Sequence, residues 1–433
     1  MSLELAHLSE TETLGDTYMD NTPLVTNDAV VLGMLMVILG FVFYTASRPG
    51  GFWKKFYGVV PSLLLCYFLP SLLATAGVIS AEESKIYFVA SRFLLPTSLL
   101  LLTLSIDIKG VLRLGPKALI MFLTGTTGVV VGGPLAIIIV SYFNPEIVGG
   151  EGVDAVWRGL TTVAGSWIGG GANQVAMKEV FGVGDKIFSA LIAVDVIVAN
   201  LWMACLLYAA GKQVSIDART GADTSAIDVL KDKISTYQAQ IMRIPKLSDT
   251  MVLLAVGFAV TGFAHLIADF LAPWLYEVNP ALKRFSLTTE FFWLVVIATT
   301  IGVILSNTRA RQLEGIGASR IGSAFLYVLV ASIGMKMDLR AIFEHKDLFL
   351  LGGIWIAFHA ILLIVVARLI RAPVFFLAVG SQANIGGAAS APIVASAFHP
   401  SLATVGVLLA VVGYALGTYM AWFCGILMQY VTP

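Results

Sequence analysis

Charge is what this chain has least of. Asp, Glu, Lys and Arg make up 12% of its 433 residues, about half the quarter found in soluble domains. With 58% hydrophobic residues and a mean hydropathy of +0.87, that scarcity excludes a soluble globular chain and indicates a polytopic membrane protein. Acidic and basic residues balance at 27 each, so nucleic acid is not expected as a partner. Cysteine is nearly absent. Cys66, Cys205 and Cys424 all sit in apolar runs, where a thiol behaves as a small hydrophobe and suggests neither a disulfide nor a metal site. Basic residues are missing from the first 28 positions, which carry Glu4, Glu10, Glu12, Asp16, Asp20 and Asp28, so no signal peptide is expected. No His/Asp/Glu cluster and no Ser-Lys or Ser-His arrangement has metal or nucleophile spacing, which disfavours an intramembrane enzyme.

What is present is apolar sequence in lengths that suit a bilayer, about 20 residues each. Ten segments qualify: 29–47, 59–78, 87–106, 118–143 and 187–210 in the first half, then 251–271, 291–305, 321–335, 348–370 and 402–428. A polar N-terminal tail (1–28) precedes them. The two repeat halves (29–210 and 247–433) are joined by a polar stretch, 211–246, with Ile227, Val229, Leu230 and Ile234 at roughly helical spacing. It is expected to be a cytoplasmic linker helix.

Between the fourth and fifth segment of each half lies a glycine-broken stretch, 156–182 and 372–398. The first holds Gly165-Ser166-Trp167-Ile168-Gly169-Gly170-Gly171-Ala172-Asn173-Gln174, and the second Gly380-Ser381-Gln382-Ala383-Asn384-Ile385-Gly386-Gly387-Ala388-Ala389-Ser390. At one ungapped offset, 386 − 169 = 217, Gly169 and Gly170 meet Gly386 and Gly387, Ala172 meets Ala389 and Phe181 meets Phe398. Leu191, Ala193, Val194, Met203 and Ala204 then meet Leu408, Ala410, Val411, Met420 and Ala421. Two copies of one unit are implied.

Each broken stretch could cross the membrane or return to the side it entered. Positive charge collects on cytoplasmic loops. With both re-entrant and the N-terminus outside, 17 of the 27 basic residues fall inside, among them Lys54, Lys55, Lys117, Arg311, Arg320 and Arg371; a crossing first stretch gives no such preference. Five full crossings then separate the stretches, so the second copy is upside-down relative to the first. The expected fold is an all-α polytopic membrane protein of two inverted repeats, with about ten spanning helices and two glycine-broken segments whose tips meet near the midplane.

Non-helical backbone at membrane depth must be paired by protein, water or a ligand. If each stretch turns at its glycines, a helix N-terminus near Ala172 and another near Ala388 face the midplane, suited to an anionic group. Gly169, Gly170, Gly171, Gly386 and Gly387 let backbone approach a solute, and Ser166, Asn173, Gln174, Ser381, Gln382, Asn384 and Ser390 supply neutral polar groups to orient it. The competing reading is that these glycines only permit tight helix packing.

Asp195 sits mid-helix between Ala193-Val194 and Val196-Ile197-Val198 with no basic residue within a turn. An intramembrane carboxylate is a functional candidate by default, here for a coupling cation or as a sodium ligand, with Asn200 and Thr418 as polar companions. The alternative is a neutral Asp195 bonded to Asn200 or hairpin backbone. His359 reads as a bonded core histidine, and His265 and Asp269 as a pair one turn apart. Arg92 is expected to snorkel. Asp107 and Asp338 read as boundary caps, and Thr124, Gly125, Gly128, Gly132 and Gly133 as a packing face.

The two boxes, with the tail Gly413-Tyr414-Ala415-Leu416-Gly417-Thr418-Tyr419, resemble the bacterial membrane family called domain of unknown function 819. The resemblance covers nearly the whole chain after residue 28. That family is similar to the cation/proton antiporter and anion transporter superfamily, which includes glutamate:sodium and 2-hydroxycarboxylate:sodium symporters. It implies an elevator-type secondary carrier in the bacterial inner membrane, a homodimer with a scaffold domain and a mobile domain. The function expected is sodium- or proton-coupled symport of a small organic anion (amino acid, peptide or carboxylate). A cation/proton antiporter is the alternative. No Asp-Asp or Asn-Asp pair like that of the antiporters is present, since Val194 precedes Asp195.

Overall fold

A computed structural model describes residues 23–48, 50–57, 60, 62–80, 84–222, 245–337, 345–399 and 402–433. The first 22 residues of the expected tail, residues 223–244 of the expected linker helix and the Asp338 cap lie outside them. All described regular structure is helical: α1 (Asp28–Ala46), α2 (Gly51–Tyr57), α3 (Ser62–Thr75), α4 (Ile86–Leu104), α5 (Pro116–Phe143), α6 (Val156–Val180), α7 (Asp185–Gly211) and α8 (Gln213–Thr220). Then come α9 (Leu247–Val278), α10 (Glu290–Ser306), α11 (Ala318–Gly334), α12 (Leu348–Leu369), α13 (Val374–Ile385), α14 (Gly387–Phe398) and α15 (Ala403–Val431). Among the described residues, seven helices are long and apolar enough to cross a membrane, or nine if two bent pairs each count as one. Each of the ten expected segments holds a helix. The span expected over 59–78 is the 14-residue α3, and α11 has 17 residues.

The helices pack as two bundles, each drawing on both halves of the chain. The first is α1, α3 and α4 with α9, α10 and α11; the second is α5, α6 and α7 with α12, α13, α14 and α15. In the first, every residue of Leu95–Leu104 in α4 is buried, because small residues let three helices close on it. A Cβ on Gly257 of α9 would stand 2.8 Å from the Thr97 methyl, and one on Gly322 of α11 would stand 3.1 Å from Leu101. Ser98 Oγ donates to the Gly322 carbonyl at 2.8 Å, and the Thr97 and Thr261 hydroxyls lie 2.7 Å apart. Such contacts carry helix association where lipid tails are as apolar as leucine. A five-residue π-turn, Ala90–Leu94, interrupts α4.

In the second bundle the glycine face of α5 does what its spacing predicts. Cβ atoms on Gly132 and Gly133 would each stand 2.8 Å from the Trp355 ring, and one on Gly128 would stand 3.1 Å from the His359 backbone. Trp355 Nε1–H donates to the Val129 carbonyl at 2.9 Å. On the outside, α1 and α9 are each only 28% buried along their apolar windows, and α9 turns Phe263, Leu266 and Phe270 outward. An outer surface of that kind belongs in lipid.

One polar contact ties the linker to the second glycine-broken segment. Asp217 on α8 accepts the Val374 N–H at 2.9 Å, capping the first turn of α13. Burial pushes the Asp217 carboxyl above the ordinary carboxylate range, against the pull of that N–H. The protonated form is therefore the one the fold favours, and its contribution is lost as pH rises through the raised pKa. Asp217→Asn is expected to keep the cap and to gain on the parent in thermal midpoint from pH 5 to pH 8, while Asp217→Ala costs about 1 kcal/mol.

Candidate functional site

Both glycine-broken segments turn back on themselves. A straight helix from Trp157 to Phe181 would be about 36 Å long at 1.5 Å per residue, yet these two rings lie 6.0 Å apart. Arg158 Nη1 donates to the Phe181 carbonyl, and the Gly184 N–H reaches the Val153 carbonyl at 2.8 Å. The turn is Gly170, at φ 73° and ψ −174° inside α6, a combination almost confined to glycine. The arms press together at Gly165, where a Cβ would stand 2.5 Å from the Asn173 carbonyl oxygen. In the second segment Phe375 and Phe398 lie 5.3 Å apart across α13 and α14, and Gly387 turns the chain at φ 56°. Gln382 Nε2–H donates to Ser390 Oγ across that hairpin at 2.7 Å.

The two tips touch. A Cβ on Gly387 would stand 3.5 Å from the Gly170 Cα, and α15 crosses both tips through its glycines. A Cβ on Gly413 would stand 2.9 Å from the Ile168 carbonyl and 3.3 Å from that of Ala383, and one on Gly417 2.7 Å from the Gly169 Cα. This is the physical content of the Gly413–Tyr419 tail.

Beside the tips lies a cavity of about 500 Å³ between the two bundles. The second bundle lines it with Ser166, Gly170, Gly171, Asp195, Asn200, Gln382, Gly386, Gly387, Ser390 and Tyr414, and the first with Phe43, Leu63, Ser323, Leu326 and Tyr327. Asp195 is 4% exposed. Its Oδ1 accepts Trp167 Nε1–H at 2.6 Å and its Oδ2 accepts Gln174 Nε2–H at 2.8 Å. Both donors come from the first hairpin, so the carboxyl is held to the tip it lies beside. Tyr67 of the first bundle donates to Gln174 Oε1 at 3.4 Å. Gln382, 2% exposed, keeps its Oε1 without a hydrogen-bond partner.

Several expected site residues are elsewhere. Asn173 donates to the Gly169 and Tyr414 carbonyls and accepts from Thr418 Oγ1 at 2.8 Å. Asn384 donates to the Phe122 and Gly380 carbonyls, 2.9 Å each, and accepts from Thr126 Oγ1 at 2.7 Å. These amides pin the hairpins to α15 and α5 and do not line the cavity; nor do Gly169, Gln174, Ser381 and Thr418. Asn384→Ala is expected to cost about 1–3 kcal/mol through unpaired buried groups, read as a lower thermal midpoint with solute affinity unchanged.

Asn200 lines the cavity but gives its N–H to the Val196 carbonyl at 2.6 Å, so it is not the partner of Asp195. His359 is fully buried, between the Gly125 carbonyl at 3.0 Å and Ser381 Oγ at 2.8 Å. Ser381 also accepts Trp202 Nε1–H at 2.8 Å. His265 faces the Arg92 carbonyl at 2.9 Å instead of Asp269. Arg92 has partners within the protein. It pairs with Glu179 at 3.6 Å and lies 4.7 Å over the Phe291 ring, joining the first bundle to the end of the first hairpin. Asp107 caps the next turn through the Gly110 N–H at 2.9 Å, as expected, and also pairs with Arg311 at 2.6 Å.

Residue-by-residue reading missed Tyr327, Tyr414 and the Trp167–Asp195 bond. Trp167 lies inside the first box, so an aromatic N–H beside the glycines was the available signal. Tyr327 carries none, being one of many apolar-helix aromatics. A smaller cavity, about 270 Å³, shares Ser323, Ala388 and Tyr414 with the first and carries Asp107, Arg311, Glu314 and Arg320. Among the described residues no group of three His, Cys, Asp or Glu is placed to hold a metal ion.

Compared with known proteins, residues 33–431 match the family model described as protein of unknown function (DUF819). A relative from Bacillus subtilis (strain 168), described as uncharacterized membrane protein YjcL, is 23% identical over 411 residues, covering 90% of this chain and 96% of the relative.

Proposed function

The chain belongs to the DUF819 family, and from that premise and the geometry of its hairpins we propose that it is a secondary active transporter of a small organic anion. The observation that carries the reading is the abutment of two helical hairpins, by Gly170 and Gly387, beside a cavity that contains Asp195. Each second arm begins at its tip, so two helix N-termini offer N–H donors and positive partial charge to an anionic group. Gln382, Ser390 and Ser166 orient the solute. Asp195, with Asn200 near it, takes the coupling sodium or proton. No catalytic step is assigned to the chain.

The halves act as inverted repeats. In support, each bundle takes the same elements from each: α1, α3 and α4 answer to α9, α10 and α11, while α5, α6 and α7 answer to α12, the α13–α14 hairpin and α15. Both hairpins are re-entrant, one from each side. The second bundle carries the site and slides against the first, an elevator in a homodimer of the bacterial inner membrane. Arg92–Glu179 and Tyr67–Gln174 join the two bundles and must break in that movement.

Accumulation of a radiolabelled organic anion by proteoliposomes, driven by an imposed sodium or pH gradient and absent without protein, is the expected result. No gradient-driven flux of any solute or ion would remove the reading. Cation/proton antiport is favoured by one observation, that Asp195 is the only carboxyl group among the described cavity-lining residues. On that reading sodium addition releases protons with no organic solute present.

A further inference from the structure

The central cavity combines three features that restrict what can fill it. None of the described residues that line it is Lys, Arg or His, while one is Asp195, both of whose oxygens already act as acceptors. Among the groups that line it, positive partial charge is offered by backbone, at the starts of the second arms at Gly171 and Gly387–Ala388, while Arg311 and Arg320 lie in the adjoining smaller cavity. And Gln382, almost wholly buried on the same lining, has an amide oxygen that nothing in the protein satisfies, a position that costs free energy unless a ligand donor fills it.

A solute that brought only negative charge would satisfy the helix N-termini. It would leave the Gln382 oxygen unpaired and, until the coupling sodium or proton is on Asp195, would face that carboxyl with no lining side-chain cation between. A solute with an anionic group at one end and an N–H-bearing cation at the other satisfies all three. We propose that the transported solute is a zwitterion, an α-amino acid or short peptide. Its carboxylate lies at the hairpin N-termini and its ammonium donates to Gln382 Oε1 on the side of Asp195. A cavity of about 500 Å³ is in the size class of small-molecule sites. The inference rests on the transporter reading, and it selects one class from the organic anions that reading allows.

The test uses the wild-type protein and a matched panel: alanine, glutamate and alanyl-alanine, each against its N-acetyl and des-amino counterpart. Thermal shift in detergent and competition for uptake in proteoliposomes are the readouts. At least one zwitterion is expected to raise the thermal midpoint and to be accumulated, with both partners weaker by about tenfold or more: the des-amino compound lacks the donor the site is built for, and the N-acetyl compound keeps one N–H but loses the positive charge and adds bulk. Gln382→Leu is expected to narrow that ratio, and the wild-type panel stands if the variant does not fold. Des-amino carboxylates that bind and accumulate as well as their zwitterions overturn the inference and leave the transporter reading intact. Failure of every zwitterion also overturns it, and sodium- or proton-gradient flux in the same vesicles then decides whether the transporter reading survives.

Discussion

Asp195→Asn is expected to abolish gradient-driven accumulation while leaving a folded protein. The side chains are isosteric, so packing against Val194, Val196 and the first hairpin is kept. What changes is the hydrogen bonding of two buried donors. The asparagine oxygen can accept either Trp167 Nε1–H or Gln174 Nε2–H, which now reach the carboxyl at 2.6 and 2.8 Å. Its amide nitrogen then faces the other. One unpaired buried donor costs about 1–3 kcal/mol, enough to lower the thermal midpoint measurably. The functional loss should be far larger. An amide carries no charge to hold a cation and cannot exchange a proton, so energised uptake should fall to the level of empty vesicles. Asp195→Leu strands both donors and should be the less stable variant. Energised uptake by the asparagine variant at the parent rate would assign Asp195 a purely structural role.

The second large effect is expected at the hairpin glycines. At Gly165 a Cβ would lie 2.5 Å from the Asn173 carbonyl oxygen and 2.9 Å from the Gln174 nitrogen. These are backbone atoms of the facing arm, which cannot rotate away, so Gly165→Val must spread the hairpin. Spreading it moves Gln174 away from Asp195 and Asn173 away from Tyr414 and Thr418. Overpacking of this kind costs about 1–3 kcal/mol, occasionally more. The disrupted hydrogen bonds add to it, so little folded protein should be recovered. Gly170→Ala probes backbone strain separately, since the space around that Cα is open to 3.8 Å but φ 73° is not. Its cost should be about 1–3 kcal/mol, with a displaced tip and weakened solute binding in a protein that still folds. The control is Gly262→Ala, where nothing lies within 4 Å. Equal thermal midpoints for Gly165→Val and the Gly262 control would contradict the hairpin.

The two results would separate the parts of the hairpin that build the site from the part that faces the solute. Sequence position does not separate them, since Ser166, Asn173 and Gln174 fall in one ten-residue box. Only Ser166 of these three lines the cavity. The others point to neighbouring helices and hold it up.

Composition and apolar run length alone determined that the chain is a polytopic helical membrane protein. They also located its helices, because a bilayer imposes one length and one chemistry on every crossing segment. The repeated glycine box marked where the helices break, because φ values such as those of Gly170 and Gly387 are open to few other residues. Tertiary structure decided which neighbour each polar side chain meets. Asn173, Asn384, Gln174 and His359 each bond partners 21 to 262 positions away, while the oxygen of Gln382 is left without one. The periodicity of one helix says which face a side chain occupies. It does not say what donor or acceptor a helix from the other half of the chain brings to that face, and that is settled only when the two halves pack.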